Sequence, residues 1–408
     1  MIERWIKEDL LTALRSRRGV HLTGARQSGK TTLSAMLNIT KVRRRSLDDE
    51  SLIMAAKLSP WEFSRRANGE TFIIDEIQKV PELLNAIKMH VDEDTERAQY
   101  LLTGSSNLRF GKMIKDSLAG RFATVRLHTL AAAEINGRRP DFFERIFSGD
   151  FPDGTTSFGK ADAIRAAFTG GYPEQLELST KERRRWFKDY LNDLLTKDVK
   201  DITEIRKMDT LQSVAEWLLS HSAQFFTIED LCAKTGISKV TAENYMEALR
   251  ALYLFDKIPA WNKGDYDRIG KRAKWMAADT GMIANILKWN EDDMMTDPRA
   301  GKMLESWVGH ELQVQADANG EYELNHYRDR HGHEIDFIVK DEAGNELGIE
   351  VKAGAAVGPG DFRHLQWFAK NMAQKKFTGV VLHTGREVLS FGEGLYAVPF
   401  GMLAGYMQ

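Results

Sequence analysis

Short apolar runs alternate with amphipathic stretches over the first third of the chain. GVHLTG (19–24), TFIID (71–75) and QYLLTG (99–104) are each typical of a buried strand that ends in small or polar residues. Stretches with helical spacing of apolar residues, such as PELLNAIKMHVDE (81–93), lie between them. Strands that alternate with helices predict a parallel α/β sheet, whose ligands bind at the carboxyl ends of the strands.

The pattern changes after a cluster rich in Gly, Ser and Thr at 148–160, which we interpret as a linker. Residues 183–199 and 209–223 then have helical spacing of apolar positions. Residues 227–253 form a helix-turn-helix pattern, and short alternating segments flank a polar loop at 262–272. This stretch therefore predicts a mostly helical domain that contains a winged helix.

A second polar break, at 291–300, precedes a helical pattern at 303–318. Two alternating segments, 333–340 and 346–354, follow it and are separated by a short loop that contains glycine and asparagine, which predicts a β-hairpin. We therefore expect three domains, at residues 1–155, 156–290 and 291–408.

Composition agrees with several folded domains and excludes some classes of protein. The chain has 408 residues, of which 42% are hydrophobic and 28% charged, and its net charge of −2 excludes a globally basic nucleic-acid binder but not a local basic groove. A single cysteine, Cys232, excludes a disulfide framework and a zinc site built from several cysteines. Because no apolar run approaches roughly 18 residues and the charged N-terminus lacks a signal-peptide core, we expect a cytoplasmic protein without a membrane partner.

A phosphate-binding loop follows the first predicted strand. The segment GARQSGKT fits the pattern G-x-x-x-x-G-K-[ST], in which glycines let backbone N–H groups approach phosphate and the helix N-terminus attracts an anion. Lys30 would contact the β- and γ-phosphates of ATP, and Thr31 would offer its hydroxyl to Mg²⁺. The predicted ATP-binding residues are Gly24, Ala25, Arg26, Gln27, Ser28, Gly29, Lys30, Thr31, Thr32 and Ser105.

Two acidic residues end the next predicted strand. Asp75 is positioned to hold Mg²⁺ through a water molecule, and Glu76 is positioned to polarise the attacking water. On the following strand, Thr103, Ser105 and Ser106 are equal candidates for sensing the γ-phosphate, with helix capping as the structural alternative.

Arg121 is a candidate for a charge that acts on a neighbouring subunit. As an arginine finger it would complete the ATP site of that neighbour, and the equally weighted alternative is a surface ion pair.

The whole chain resembles the prokaryotic AAA-like ATPases that carry a C-terminal domain of unknown function. The most specific motifs are DEIQKVPELL (75–84) and GGYPE (170–174), in this order, and the resemblance also includes AADTGM (277–282) and LESWVGHEL (304–312). The resemblance implies an α/β fold with a P-loop NTPase parallel-sheet core, then a helical and winged-helix domain, then a small α/β restriction-endonuclease-like domain. It also implies ATP binding, ATP hydrolysis and biology linked to nucleic acid. Ala25 stands where the family often has proline, a change that leaves the backbone N–H groups in place.

A second acidic set lies on the predicted C-terminal hairpin and looks like the D…E-x-K core of such nucleases. Glu350 and Lys352 share one strand face, and a turn centred on Ala343 would put Asp336 opposite Glu350. Because like charges directly opposite each other are destabilising, a divalent cation between the two carboxylates would relieve the repulsion. Lys352 would then orient or activate a water beside the scissile phosphate.

One carboxylate of the preceding helix is expected to join this set. Glu305 and Glu311 point in different directions, and we favour Glu305 as the third metal ligand. The alternative for the whole set is a decayed nuclease fold that is kept for docking.

These features predict an ATPase, with ATP and Mg²⁺ as cofactors, that is coupled to a metal-dependent nuclease-like domain. Its partners would be nucleic acid, DNA rather than RNA, and further copies of itself in a homo-oligomer. The second hypothesis is a nucleotide-dependent oligomeric switch with a catalytically silent nuclease fold. A third hypothesis is a DNA-binding regulator that acts through the winged helix, whose polar loop carries the basic residues Lys263, Arg268, Lys271 and Arg272. This hypothesis is weaker, because the candidate recognition helix carries Lys239 but also Glu243 and Glu247, which would face phosphates unfavourably.

Overall fold

A computed structural model describes most of the chain. The described residues are 2–104, 113–114, 116–152, 154–198, 208–263 and 272–407. Within them, no helix is long and apolar enough to cross a membrane.

The first unit is a parallel five-stranded sheet with strand order β2-β3-β4-β1-β5. Every neighbouring pair is parallel, as the alternation of strands and helices predicted. The strands are β1 (Gly19–Gly24), β2 (Val42–Ser46), β3 (Thr71–Asp75), β4 (Tyr100–Thr103) and β5 (Phe122–Leu127). The described helices are α1 (Ile6–Ser16), α2 (Lys30–Ala35), α3 (Glu50–Leu58), α4 (Pro60–Ser64), α5 (Leu83–Glu93), α6 (Ala132–Ile135) and α7 (Phe142–Ser148), with a 3₁₀ turn at Ile77–Lys79.

The edge strand β2 is one that the hydrophobic pattern does not reveal, because three of its five residues are arginines. The Arg43 guanidinium lies 4.0 Å from the centre of the Phe72 ring, and that of Arg45 lies 4.6 Å from the Phe63 ring. Cation–π contacts and the buried stems of the side chains therefore replace apolar burial on this strand.

The second unit is helical and carries a two-stranded antiparallel hairpin. Its N-terminal helices pack through an aromatic cluster around Tyr172, and Ser238 caps the last helix before the hairpin by accepting a hydrogen bond from Thr241 N–H. The elements are α8 (Lys160–Thr169), α9 (Thr180–Asp193), a π-helical turn (Leu194–Asp198), α10 (Met208–Ser220), α11 (Ile228–Thr235), α12 (Lys239–Ala251), β6 (Phe255–Ile258), β7 (Lys274–Ala277) and α13 (Thr280–Ile286), with a 3₁₀ turn at Pro173–Gln175.

The third unit is a mixed six-stranded sheet with order β12-β13-β11-β10-β9-β8. A long buried helix precedes three antiparallel strands, and a crossover helix then leads to β11, which pairs in parallel with β10. The elements are α14 (Arg299–Asn319), β8 (Glu323–Arg328), β9 (Glu334–Lys340), β10 (Glu346–Lys352), α15 (Arg363–Asn371), β11 (Phe377–His383), β12 (Leu389–Ser390), β13 (Leu395–Pro399) and α16 (Phe400–Leu403), with 3₁₀ turns at Asp293–Met295 and Pro359–Phe362.

The segment interpreted as a linker is instead part of the packed structure. Thr155 and Thr156 bridge to Glu387 and Met407 of the third unit, and the Phe158 side chain is buried in the core of that unit. The interpretation as a linker was wrong here, because it rested on the content of Gly, Ser and Thr alone, whereas backbone groups of this segment find partners across the interface.

Candidate nucleotide site and a second acidic cluster

The loop after β1 has the backbone conformation of an anion cradle. Gly24, Gln27 and Gly29 all have positive φ angles, of 150°, 60° and 98°, and a Cβ at Gly24 would come within 2.2 Å of the Leu127 carbonyl oxygen. The Ser28 hydroxyl is buried and has no hydrogen-bond partner in the described part of the chain. A buried hydroxyl without a partner is costly, and an anion in the loop would satisfy it.

Lys30, the first residue of α2, folds back over this loop. Its Nζ donates to the carbonyl oxygens of Gly24, at 3.1 Å, and Ala25, at 2.7 Å. Burial lowers the pKa of Lys30 to about 8, while Glu76 and Asp75 oppose that shift. A triphosphate would give this buried ammonium stronger acceptors than two neutral carbonyls.

Asp75 joins the loop to the neighbouring strands. The Thr31 hydroxyl donates to Asp75 Oδ2 at 2.8 Å, and the Thr103 hydroxyl donates to Asp75 Oδ1. Because β3, β4 and β1 are adjacent in the sheet, their carboxyl ends meet at one edge. The structure thus puts Thr103 at the site, while Ser105 and Ser106 lie outside the described residues.

Glu76 follows Asp75 in a left-handed conformation with φ 57°. The Gln78 side-chain amide donates to Glu76 Oε2, and burial raises the pKa of the Glu76 carboxyl. A non-glycine residue in this region costs of order 1–3 kcal/mol and is typical of functional sites. Gln78, in turn, depends on Gly104, where a Cβ would come within 2.4 Å of its side-chain oxygen.

A hydroxyl and a carboxylate 2.8 Å apart supply the oxygen ligands that Mg²⁺ prefers when it binds with phosphates. Thr31 and Asp75 therefore fit the predicted role of holding this ion.

Three residues that support the loop were not predicted from the sequence. Buried Arg4 donates to the Ser28 carbonyl oxygen at 2.9 Å. The Tyr190 hydroxyl, on α9, donates to the Arg26 carbonyl oxygen at 3.1 Å, and the hydroxyls of Tyr253 and Thr23 lie 2.5 Å apart. Both tyrosines come from the helical unit, so that unit contacts the loop directly.

Arg121 forms a bidentate ion pair with Asp92 of the same chain, with Nη2 3.0 Å from Oδ2. Gly19 pairs with Phe122 and Gly24 with Leu127 along the parallel strands β1 and β5. Arg121 therefore lies at the amino end of the sheet, opposite its own phosphate loop. The ion pair predicted as the alternative is present, and an arginine finger would act only on another copy.

The C-terminal hairpin has the predicted register. Ile349 pairs with Phe337, so the next residue, Glu350, faces Asp336, whose Oδ2 accepts a hydrogen bond from Val351 N–H at 2.9 Å. One oxygen of Glu350 is buried and has no hydrogen-bond partner among the described residues. Burial, together with the charges of Asp336 and Glu305, raises the pKa of Glu350 well above its ordinary value.

The two candidate helix carboxylates separate as the helical spacing requires. Glu305 approaches the hairpin and shares Lys274 with Asp336. The carboxylate of Glu311 instead accepts the Ala132 N–H, at 2.9 Å from each of its oxygens. Glu305 is thus the member of the acidic cluster that the sequence favoured.

Lys274, on β7 of the helical unit, lies inside this acidic cluster. It is fully buried, with Nζ 2.7 Å from Glu305 Oε1, 3.2 Å from the Asp336 carbonyl oxygen and 3.7 Å from Asp336 Oδ1. The alternation along β7 puts it on the same face as buried Met276, which is the sequence signal that could have identified it.

The metal assignment at this cluster does not fit the present arrangement. Lys352 forms an ion pair with Asp361, and Lys302 pairs with Glu305 at 2.6 Å. Among the described residues, no group of three or more His, Cys, Asp or Glu side chains is placed to hold a metal ion. Asp336, Glu350 and Glu305 are gathered around an ammonium group instead.

Among the basic residues predicted for the winged helix, Lys239 forms an ion pair, and so does Lys257 of the adjoining hairpin. Lys239 lies 3.4 Å from Glu229, and Lys257 pairs with Glu247. Arg268 and Lys271 of the polar loop lie outside the described residues.

Three family models match consecutive parts of the chain. Residues 16–136 match a family described as "AAA domain", residues 160–293 match "Domain of unknown function (DUF8612)", and residues 300–403 match "Domain of unknown function (DUF4143)". The first match supports an AAA-like ATPase core for the sheet that carries the phosphate loop, as the resemblance implied.

Similar proteins extend over most of the chain. It is 25% identical to the uncharacterized protein Rv2008c of Mycobacterium tuberculosis over 351 residues, which cover 83% of this chain and 73% of the relative. The uncharacterized protein Mb2031c of Mycobacterium bovis matches with the same values.

Two solved structures are similar to the chain at low identity. The Walker-type ATPase of Pyrococcus abyssi is 14% identical with a TM-score of 0.44, covering 70% of this chain and 96% of its own. The RuvB Holliday junction branch migration motor of Thermotoga maritima is 18% identical with a TM-score of 0.29, covering 71% and 96%. The strand order and the loop, rather than these scores, define the fold of the first unit.

Proposed function

We propose that this protein binds ATP at the loop after β1 and hydrolyses it. The observation that carries the proposal is Asp75, whose carboxylate joins the loop hydroxyl of Thr31 to Thr103 on the next strand. This carboxylate lies beside a loop with a buried lysine and a hydroxyl that lacks a partner among the described residues. Such an arrangement suits the binding of a phosphate chain and its cation, whereas by itself it would cost folding stability.

Each residue of the site has a separate task in this proposal. Lys30 exchanges the carbonyls of Gly24 and Ala25 for phosphate oxygens, and the N–H groups of the loop surround the phosphates. Glu76, held by Gln78, accepts a proton from the attacking water. Thr31 and Asp75 would hold Mg²⁺, which would neutralise phosphate charge.

Lys30→Ala and Glu76→Gln separate binding from hydrolysis. We expect Lys30→Ala to lose both nucleotide affinity and turnover, since it removes the ammonium that contacts phosphate. Glu76→Gln should still bind ATP but release phosphate about 10²–10⁴-fold more slowly, because the amide cannot accept the proton. Equilibrium binding of a fluorescent ATP analogue and phosphate release would be measured together.

Lys41→Ala, which removes an exposed lysine whose ammonium donates to the Asn68 carbonyl oxygen, is the matched control for loss of a positive charge. If both site variants turned over ATP like the unsubstituted protein, the proposal would be wrong.

We further propose that the third unit acts on or binds nucleic acid, DNA rather than RNA. The convergence of buried Asp336 and Glu305 with half-buried Glu350 supports it, since acidic groups removed from water are expensive to maintain without a function. A groove of about 630 Å³ in the helical unit offers a place for a phosphodiester backbone. Its lining has an excess of positive charge, with Arg184, Arg185, Lys188 and Lys288 against Asp189 and Glu216.

The competing function is a nucleotide-dependent switch whose nuclease fold is silent. The ion pairs of Lys274 and Lys352 favour it in the arrangement described here. Incubation with single-stranded, duplex and branched DNA and with RNA, in Mg²⁺ or Mn²⁺, distinguishes the two. Cleavage that disappears in Asp336→Ala supports an enzyme, and binding without cleavage supports the switch.

A further inference from the structure

The ammonium of Lys274 has the position and partners of a bound cation in the second acidic cluster. It contacts Glu305 and Asp336 and is fully shielded from solvent. A buried ion pair offsets the cost of removing both charges from water only through close contacts. A divalent cation could not enter the same space while the lysine remains.

The lysine comes from a different unit than the acids. Lys274 opens β7, which pairs with β6 so that Ile258 faces Lys274. The segment after β6 continues onto the third sheet, where Trp261 N–H donates to the His326 carbonyl oxygen at 2.6 Å. The hairpin β6–β7 is therefore docked on the third unit at two points.

The same hairpin also contacts the first unit, which carries the phosphate loop. Arg126 of β5 forms a bidentate ion pair with Asp256 of β6, with distances of 2.6 and 3.1 Å. Tyr253, just before β6, contacts Thr23 of the strand that leads into the phosphate loop. Four residues thus connect the ATP site to the hairpin that carries Lys274.

We propose that Lys274 is an internal cation that keeps the second acidic cluster free of divalent metal, and that nucleotide binding withdraws it by moving the hairpin β6–β7. This inference rests on the proposed ATP site and deepens the proposed function of the third unit by naming its regulation. When the lysine leaves, Asp336 loses its ion-pair partner, Glu305 keeps only Lys302, and the cluster with Glu350 becomes available to a divalent cation.

The first test measures Mn²⁺ binding to the nucleotide-free full chain by electron paramagnetic resonance. We expect Lys274→Met and Lys274→Gln to bind one Mn²⁺ at least tenfold more tightly than the unsubstituted protein, and to lose that gain when Asp336→Asn is added. Lys257→Met is the matched control, since it removes a lysine from the same hairpin that pairs with Glu247 instead. Equal Mn²⁺ affinity in all these proteins would overturn the proposal.

The second test avoids substitution of Lys274, in case its loss prevents folding. Glu76→Gln saturated with ATP should bind two Mn²⁺ per chain, one with the nucleotide and one at the second cluster, and Asp336→Asn in this background should bind one. A single Mn²⁺ in both proteins would rule out the nucleotide-driven withdrawal. Absence of any ATP-dependent Mn²⁺ would instead show that the proposed ATP site is wrong, so the two failures are distinguishable.

Cleavage of nucleic acid provides a separate result. Loss of cleavage in Lys274→Met, with Mn²⁺ bound no more tightly than before, would identify Lys274 as part of the reaction and contradict the internal-cation role.

Discussion

Single buried carboxyl groups at the junction of the three units carry much of the pH response expected of this protein. Burial raises the pKa of Glu311 to about 8, with smaller contributions from Glu134 and Asp279, and it raises the pKa of Asp279 to about 6. Both groups line a cavity of about 490 Å³ between the units. Burial is the main cause in both cases, because removal from solvent disfavours the charged carboxylate.

We expect Glu311→Gln to flatten the dependence of stability on pH. The ordinary pKa of 4.5 in the unfolded chain lies below the folded value of about 8. Between these values the folded state holds a proton that the unfolded state has lost, so the free energy of unfolding falls as pH rises. The variant should therefore gain stability relative to the unsubstituted protein across this range, by on the order of 1 kcal/mol or more.

Urea unfolding at pH 5 and pH 8 measures this effect, and the substitution of exposed Glu321 by Gln serves as the control. If the difference in the free energy of unfolding between the variant and the unsubstituted protein stayed constant from pH 5 to pH 8, Glu311 would not have a raised pKa in the folded state.

At the scale of elements, the segments GGYPE (170–174) and AADTGM (277–282) meet where the units join. Gly171, after α8, accepts the Leu130 N–H at 2.8 Å and donates its own N–H to Asp279, which also caps α13 through Gly281. A Cβ on Gly171 would lie 2.0 Å from the Leu130 carbonyl oxygen. This glycine is needed for close backbone approach rather than for a special φ angle.

We expect Gly171→Ala to destabilise the protein by about 2–4 kcal/mol, since backbone on both sides of the contact must move. Gly301→Ala is the matched control, because it lies in α14 with no heavy atom within 4 Å of the added Cβ, and it should be neutral or stabilising by about 0.5–1 kcal/mol. Thermal unfolding of both variants tests this. Equal melting temperatures for the two variants would show that the backbone at Gly171 can accommodate a Cβ without loss of stability, which would contradict the prediction.

At the scale of the whole molecule, the position of Arg121 bears on assembly. It lies at the end of the sheet opposite its own phosphate loop and is held by Asp92. In a homo-oligomer this arginine could reach the ATP site of a neighbour, after exchanging one carboxylate for phosphate oxygens.

Mixing two inactive variants tests this role. Arg121→Ala and Lys30→Ala should each lose turnover by about 10³-fold or more, and their mixture should recover part of it, since a Lys30→Ala chain still offers Arg121 to an intact loop. Asp92→Asn, which frees Arg121, should retain turnover. Phosphate release from the mixture is the measurement. Full activity of Arg121→Ala alone would contradict a role in the ATP site of a neighbour.

The sequence by itself determined the parts of this protein that depend on local pattern. Apolar runs predicted the parallel sheet, and the motif G-x-x-x-x-G-K-[ST] predicted the loop and helix that follow β1, because a strand, a turn and a helix N-terminus are encoded within a few neighbouring residues. The hairpin register that brings Glu350 opposite Asp336 also followed from spacing alone.

Only the tertiary structure decided which distant groups complete these sites. Lys274 inside the acidic cluster, Tyr253 at the strand before the phosphate loop and the packed segment around Thr156 all depend on contacts between units. The arginine-rich strand β2 is likewise stabilised by aromatic rings from elsewhere in the chain. Periodicity reports which face of an element is buried, but it carries no information about the partner that buries it.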